Sequence, residues 1–204
     1  MARWALISAE HGAEATACAL EVFARLTANG IQVGGFVQQK YVDAEGRKTF
    51  DVVRLHNQET VVLSGGSVAA KGPTEAFTCS GAFHDQGFEA ARRWVEADAA
   101  FADVLVVDGG RKLEVAGKGH GPTLERALCL PDKIVLLCAK ASQLFHLVER
   151  FGLEEASMVA ALELPVDPQS IDRFIDQLSQ SALVLRGHTR AGAGRAATPG
   201  PRDR

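Results

Sequence analysis

The chain of 204 residues is 47% hydrophobic and 23% charged, which indicates a globular protein long enough to bury one substantial core. Its net charge of −3 excludes a basic footprint for nucleic acid over the whole surface, so nucleic acid is not an expected partner. No apolar run approaches the roughly 18 residues of a membrane-spanning helix and no targeting segment is visible, so we expect a cytoplasmic protein with no membrane partner.

The first third of the chain predicts a strand, a helix and a hairpin. Residues 3–8 form a short apolar run, and residues 13–29 repeat apolar side chains at helical spacing. The stretch "IQVGGFVQQ" predicts a second strand, which continues into a hairpin that turns at residues 43–46. We expect another short strand at "ETVVLS" and then a loop over residues 65–83, where glycine and proline interrupt any regular pattern.

The rest of the chain alternates helices with strands. Asp85 begins an amphipathic helix that reaches about residue 100, and the apolar strand "ADVLVVD" then ends in Asp108. A helix, the strand "KIVLLCA", a helix and the strand "MVAALELP" follow, and Asp167 caps a last helix. This alternation predicts an α/β fold with a mostly parallel sheet and an antiparallel hairpin at its edge.

The boundaries of the folded part follow from composition. We expect one α/β domain over residues 1–186, and a disordered tail over residues 187–204, which is rich in arginine, glycine and proline and offers little to bury. The arginines of this tail are interpreted as solubilising. The alternative is contact with RNA, acidic lipid or an acidic protein.

Two loops are predicted to share one crevice, because ligands of parallel sheets bind beyond the carboxyl ends of the strands. The first loop reads "AEHGAEAT" and stands where a Walker A motif, GxxxxGK[ST], would hold phosphates and Mg²⁺. Thr16 keeps the hydroxyl position and Gly12 is an interior glycine, but Ala15 replaces the lysine. Two glutamates add carboxylates beside the anion position, and each close charge pair is worth about 1 to 4 kcal/mol.

The second loop, "VDGGRKLEVAGKGHG", carries positive charge. Asp108 ends its strand, where a Walker B carboxylate would orient Mg²⁺. Arg111, Lys112 and Lys118 lie among glycines, which indicates a basic loop able to hold an anion. The alternative interpretation is a solvated turn.

Three stretches resemble the small P-loop nucleoside triphosphatases first described from thermophiles and also found in humans. They are the strand–loop–helix at 4–26, "GGFVQQKYVDAEGRKTFDVVRL" and "ADVLVVDGGRKLE", and they extend over about residues 4–140. The chain is also similar to bacterial relatives of that family with a degenerate Walker A loop. The resemblance implies a three-layer RecA-like P-loop fold in which Asp108 is the Walker B aspartate and Glu114 closes the motif. Gly109 replaces the acidic residue that would polarise the attacking water.

The sequence is compatible with three functions. The favoured one is a nucleotide- or oxyanion-binding accessory module with little or no hydrolysis. Its binding residues would be Gly12, Thr16, Arg111, Lys112 and Lys118. The second is an active nucleoside triphosphatase, with Thr16 and Asp108 on Mg²⁺, relocated basic residues and Glu114 as base. The third is a non-catalytic module that binds a protein partner.

Other metal or oxyanion ligands are conceivable but not favoured. Cys79 and His84 alone are too few ligands for a metal, so we expect an ordinary loop there. His11 and His120 flank the two predicted loops, and we interpret both as solvated, with oxyanion or metal binding as the alternative.

Overall fold

A computed structural model describes residues 2–42, 46, 48–65, 74–78 and 81–195. Within these residues, nine strands form one sheet and six α-helices pack on it. The strands are β1 (Arg3–Ala9), β2 (Val33–Val42), β3 (Lys48–Arg54), β4 (Thr60–Ser64), β5 (Thr74–Thr78), β6 (Gly81–His84), β7 (Val104–Gly110), β8 (Ile134–Lys140) and β9 (Met158–Glu163). The helices are α1 (Gly12–Ala28), α2 (Asp85–Asp98), α3 (Lys112–Val115), α4 (Gly121–Leu128), α5 (Leu144–Phe151) and α6 (Pro168–Arg195).

The sheet has a parallel part and an antiparallel edge. Its strand order is β5-β6-β4-β3-β2-β7-β8-β1-β9, in which β2, β7, β8, β1 and β9 run parallel. The hairpin of β2 and β3 starts the antiparallel edge, which β4, β6 and β5 continue. The predicted fold class is therefore confirmed. The predicted loop over residues 65–83 differs, because residues 74–78 and 81–84 form strands; residues 66–73, 79 and 80 lie outside the described residues.

The helices divide between the two faces of the sheet, which gives three layers. Helices α1 and α6 pack on one face around side chains such as Val22 and Phe174. Helices α2, α4 and α5 cover the other face, with Trp94 and Leu124 in the core. Strands β7 and β8 are buried along almost their whole length, which explains their continuous apolar sequences.

The last helix is longer than the sequence predicts. Asp167 caps it as expected, since its Oδ1 accepts a hydrogen bond of 2.9 Å from the Ser170 N–H. The helix continues to Arg195, so that residues 187–195 are helical where a disordered tail was expected. Residues 196–204 lie outside the described residues. Among the described helices, none combines the length and the apolar character needed to cross a membrane.

Candidate anion-binding cleft

The register of the parallel strands brings the two predicted loops to the same edge of the sheet. Strand β8 lies between β1 and β7, with Ala9 opposite Lys140 and Asp108 opposite Cys138. The loops after β1 and β7 therefore face each other across the end of β8. Lys140, the last residue of β8, lies between them.

The loop after β1 is much shorter than a Walker A loop. Strand β1 ends at Ala9 and helix α1 begins at Gly12, so only two residues connect them. The positions that would arch over a phosphate instead form the first turn of α1. The first N–H groups of a helix have no intrahelical acceptor, and His11 provides no side-chain cap. The positive end of the α1 dipole therefore lies at the floor of the crevice.

A network of short hydrogen bonds joins α1, β2 and β7 below this floor. The Thr16 hydroxyl donates to Asp108 Oδ2 at 2.6 Å, and the Gln38 backbone N–H donates to the same oxygen at 2.9 Å. The Gln38 side-chain amide donates to the Asp108 carbonyl at 2.7 Å. Burial raises the pKa of Asp108, although the charge of Arg111 and these hydrogen bonds act in the opposite direction.

The Thr16–Asp108 pair fits one side of a magnesium site. A hydroxyl and a carboxylate in contact supply the one or two protein oxygens that Mg²⁺ accepts while it keeps several waters. In the part of the chain that the structure describes, no group of three or more His, Cys, Asp or Glu side chains could hold a metal. Cys79 lies outside the described residues.

Arg111 lies directly above the first turn of α1. A Cβ placed on Gly12 would be 2.7 Å from the Arg111 Nη2 and 3.1 Å from its Cζ, so only glycine lets the guanidinium approach this closely. The Arg111 Cζ also lies 5.8 Å from the centre of the Phe50 ring, within cation–π range. Among the described residues, no carboxylate forms an ion pair with Arg111.

The space between the two loops is a cleft of about 480 Å³, which we call the cationic cleft. It is lined by Glu10, His11, Gly12, Ala13, Gln38, Lys40, Phe50, Arg111 and Lys140. Three cations line it: Lys40 lies on β2, Arg111 directly follows β7, and Lys140 is the last residue of β8. One carboxylate, Glu10, also lines it. The volume lies within the range of about 300–1,000 Å³ that is usual for ligand sites.

A second, mostly apolar cavity of about 220 Å³ adjoins the cationic cleft; we call it the aromatic pocket. It is lined by Gln38, Phe50, Phe83, Phe88, Arg111, Lys112, Leu113, Glu114, Lys140 and Gln143. Gln38, Phe50, Arg111 and Lys140 line both spaces and so form a shared wall.

The Glu114 carboxylate links the two ends of the basic loop through hydrogen bonds to the backbone. Its Oε2 accepts the Arg111 backbone N–H and its Oε1 accepts the His120 N–H, both at 3.0 Å. Burial raises the pKa of Glu114 to about 7, against the effect of these hydrogen bonds and of the Arg111 charge. Glu114 therefore fixes the backbone of Arg111 and also presents an ionisable group to the aromatic pocket.

His120 is wholly buried, which corrects the expectation that it is solvated. Its ring packs against Phe36 at 4.4 Å and Phe88 at 4.8 Å between ring centres, and neither ring nitrogen has a partner among the described residues. Burial lowers its pKa to about 3, so the imidazole is neutral at physiological pH. A Cβ on Gly109 would lie 2.9 Å from the His120 Cδ2 and 3.2 Å from the Gln38 Nε2. The space for an acidic side chain at position 109 is thus already filled.

The structure brings together most, but not all, of the predicted site residues. Gly12 and Arg111 line the cationic cleft, whereas Thr16 and Asp108 are buried below its floor. Lys112 and Glu114 line the aromatic pocket, whereas Lys118 lines neither space. Lys40 and Lys140 line the cationic cleft but were not predicted from the sequence. One feature of the sequence could have identified them: each lysine directly follows a predicted strand, where its side chain is near the carboxyl end of the sheet.

The fold and the site together define a protein of the P-loop nucleoside-triphosphatase type, in which a strand–helix unit faces an aspartate at the end of a buried strand. A family model described as NTPase matches residues 5–166, and the chain belongs to this family of small P-loop NTPases.

Two solved structures share the fold. The solution structure of a human cancer-related nucleoside triphosphatase has a TM-score of 0.59 and 20% identity, covering 88% of this chain and 96% of that one. The crystal structure of THEP1 from the hyperthermophile Aquifex aeolicus has a TM-score of 0.57 and 16% identity, covering 86% and 96%. Among curated proteins, none matches this chain in sequence. The likeness to the two structures confirms the P-loop NTPase fold.

Proposed function

We propose that the chain binds a phosphate-bearing anion, a nucleotide or a smaller oxyanion, in the cationic cleft and hydrolyses nucleoside triphosphates little or not at all. The observation that carries this proposal is the position of Arg111, whose guanidinium lies against Gly12 at the positive end of α1. A cation and a helix N-terminus repel each other unless a bound anion contacts both and neutralises their charge.

The chain's own groups would bind the anion in complementary ways. The planar guanidinium of Arg111 suits two oxygens of one phosphate, while Lys40 and Lys140 act as point charges from the sides of the cleft. The free N–H groups of the α1 first turn complete the floor. Arg111 would then take the charge-neutralising part that a lysine at position 15 would otherwise have.

Two positions in the chain disfavour efficient hydrolysis. Ala15 has no charge to offer to a transferred phosphate, and Gly109 cannot position water, because the His120 ring and the Gln38 amide fill the adjacent space. If a nucleotide binds with magnesium, Thr16 and Asp108 would hold the ion, which would neutralise part of the phosphate charge. Neither residue by itself activates a water molecule.

An active nucleoside triphosphatase is the second candidate, and one observation favours it. Burial raises the pKa of Glu114 to about 7, near the value at which a general base works best at neutral pH. Glu114 lines the aromatic pocket beside Arg111. Its two oxygens already accept backbone N–H groups, which restricts its freedom to reach a water molecule.

Calorimetric titration with inorganic phosphate, ATP and GTP, with and without Mg²⁺, tests the proposal. We expect the Arg111→Ala variant to bind phosphate about ten- to a hundred-fold more weakly than the wild type, because a charge-assisted hydrogen bond contributes about 1.5–3 kcal/mol. The Lys118→Ala variant is the matched control: it removes a cation from the same loop but outside the cleft, and should bind like the wild type.

The other functions correspond to different results of the same experiment. Phosphate release above about 1 per second with Mg²⁺, a rate usual for enzymes, would contradict the proposal and support the active triphosphatase. Failure of phosphate and nucleotides to bind, and to raise the melting temperature, would favour a module that only binds a protein partner.

A further inference from the structure

The aromatic pocket contains a row of rings that begins at the cation of the cleft. The Arg111 guanidinium lies over Phe50, the Phe50 and Phe83 ring centres are 6.2 Å apart, and those of Phe83 and Phe88 are 6.0 Å apart. These spacings are typical of interacting aromatic side chains. A positively charged cleft thus continues into an apolar space with flat walls.

The walls of this pocket are held by regular structure. Phe50 lies on β3, Phe83 on β6 and Phe88 in the first turn of α2. Phe83 and Phe88 are buried on their other sides, with 8% and 6% of their surfaces exposed. The pocket is therefore formed before any ligand arrives, as is usual for small-molecule sites.

The size of the pocket limits what it can receive. A cavity of about 150 Å³ in another protein is large enough for benzene, so a cavity of about 220 Å³ admits one ring or a fused pair of rings. Gln38, Glu114 and Gln143 place a few polar atoms around the apolar lining. Such groups fix the orientation of a ligand in a pocket that is otherwise apolar.

We infer that the anion bound in the cationic cleft carries an aromatic ring system, which lies in the aromatic pocket and packs against the wall that Phe50 and Phe83 form together. This inference rests on the proposed function, because the ring enters beside an anion held by Arg111. The Arg111 Cζ and the Phe50 ring centre are 5.8 Å apart and both residues line the two spaces, so an anion held by Arg111 lies next to a ring packed on Phe50. The substrate class is therefore an aryl phosphate or a close analogue.

Two phosphate monoesters of equal charge test this inference: 1-naphthyl phosphate and methyl phosphate. We expect wild-type protein to bind 1-naphthyl phosphate at least ten-fold more tightly in calorimetry, a difference of about 1.4 kcal/mol. The Phe83→Ala variant should lose most of this preference and keep its affinity for methyl phosphate. The Phe101→Ala variant is the matched control, because it removes a ring at the opposite end of β7. Its preference for 1-naphthyl phosphate should equal that of the wild type.

A second variant keeps the test decisive if Phe83→Ala does not fold. The half-buried Leu113 lines the pocket, and Leu113→Trp fills it from one side. This variant should bind 1-naphthyl phosphate no better than methyl phosphate. Equal affinity of wild-type protein for the two esters would overturn the inference while the proposed function stands. Failure of both esters and of inorganic phosphate to bind would contradict the proposed function itself.

Discussion

Introducing a lysine at position 15 and a glutamate at position 109 is expected to destabilise the protein without giving it hydrolytic activity. We expect the double variant Ala15→Lys/Gly109→Glu to lose about 3–5 kcal/mol of unfolding free energy for each unpaired buried charge, and to release phosphate from ATP no faster than the wild type.

The physical reason at position 15 is the early start of α1. Because the helix begins at Gly12, Ala15 lies within its first turn with 1% of its surface exposed, packed in the apolar cluster that includes Ile7 and Val22. A lysine there has no arching loop to follow towards a phosphate. Its ammonium group would be buried without a partner, or would lose its proton.

At position 109 the obstacle is steric. The His120 Cδ2 would lie 2.9 Å from the first side-chain carbon of the new glutamate, closer than real Cβ contacts allow. His120 is wholly buried between aromatic rings and cannot move aside without opening the core. We therefore expect the Gly109→Glu single variant to be destabilised as well.

Two measurements check this prediction. Urea unfolding gives the stability of the two single variants and of the double variant, and a phosphate-release assay with Mg²⁺ gives their hydrolytic activity. Ala13→Lys is the matched control, because Ala13 is exposed in the same helical turn and lines the cationic cleft. This control should lower the unfolding free energy by no more than about 1 kcal/mol, because an exposed cation in the first turn of a helix costs about 0.3–1 kcal/mol. A double variant that is as stable as the wild type and hydrolyses ATP would contradict the prediction.

The sequence was sufficient to predict the frame of the site. Apolar runs long enough for buried strands predicted β1, β7 and β8, and the rule that ligands bind at strand ends placed Thr16 near Asp108. That pair is in contact at 2.6 Å. The strands follow from residue patterns within single segments, and the Thr16–Asp108 contact follows from the rule that ligands bind at strand ends. Neither prediction requires the order of the strands in the sheet.

The cations of the cleft could not be predicted in the same way. Lys140 reaches the site because β8 pairs between β1 and β7, with Ala9 opposite Lys140. Lys40 reaches it because β2 lies next to β7. Both placements depend on strand order, which the sequence does not state. Of the three cations predicted for the basic loop, only Arg111 lies in the cationic cleft, and Lys112 lines the neighbouring pocket.

One local pattern was interpreted wrongly for an identifiable reason. His120 follows a glycine-rich stretch, which is typical of solvated loops, but Gly119 has a positive φ of 60°. That conformation turns the chain inward, so that the His120 N–H reaches Glu114 at 3.0 Å.

The pH dependence of stability is expected to show the burial of Glu114. The pKa of its carboxyl group is raised from 4.5 to about 7 in the folded protein, so the folded state binds the proton more tightly than the unfolded state. The resulting stabilisation is complete below pH 4.5 and is lost as the pH rises through 7. One pH unit of difference is worth about 1.4 kcal/mol, so we expect a loss of about 3 kcal/mol relative to Glu114→Gln.

Measuring the unfolding free energy of wild type and Glu114→Gln in urea between pH 4 and pH 8 checks this expectation. The buried His120 changes stability in the opposite direction, because its pKa is lowered to about 3, but it is present in both proteins and cancels in the difference. Asp167→Asn is the matched control: hydrogen bonds from Ser170 lower the pKa of Asp167 below 3.8, so its contribution is lost only below this pH range, and its curve should run parallel to that of the wild type. Parallel curves for wild type and Glu114→Gln would mean that Glu114 reaches solvent in the folded protein, and the second candidate function would then lose its general base.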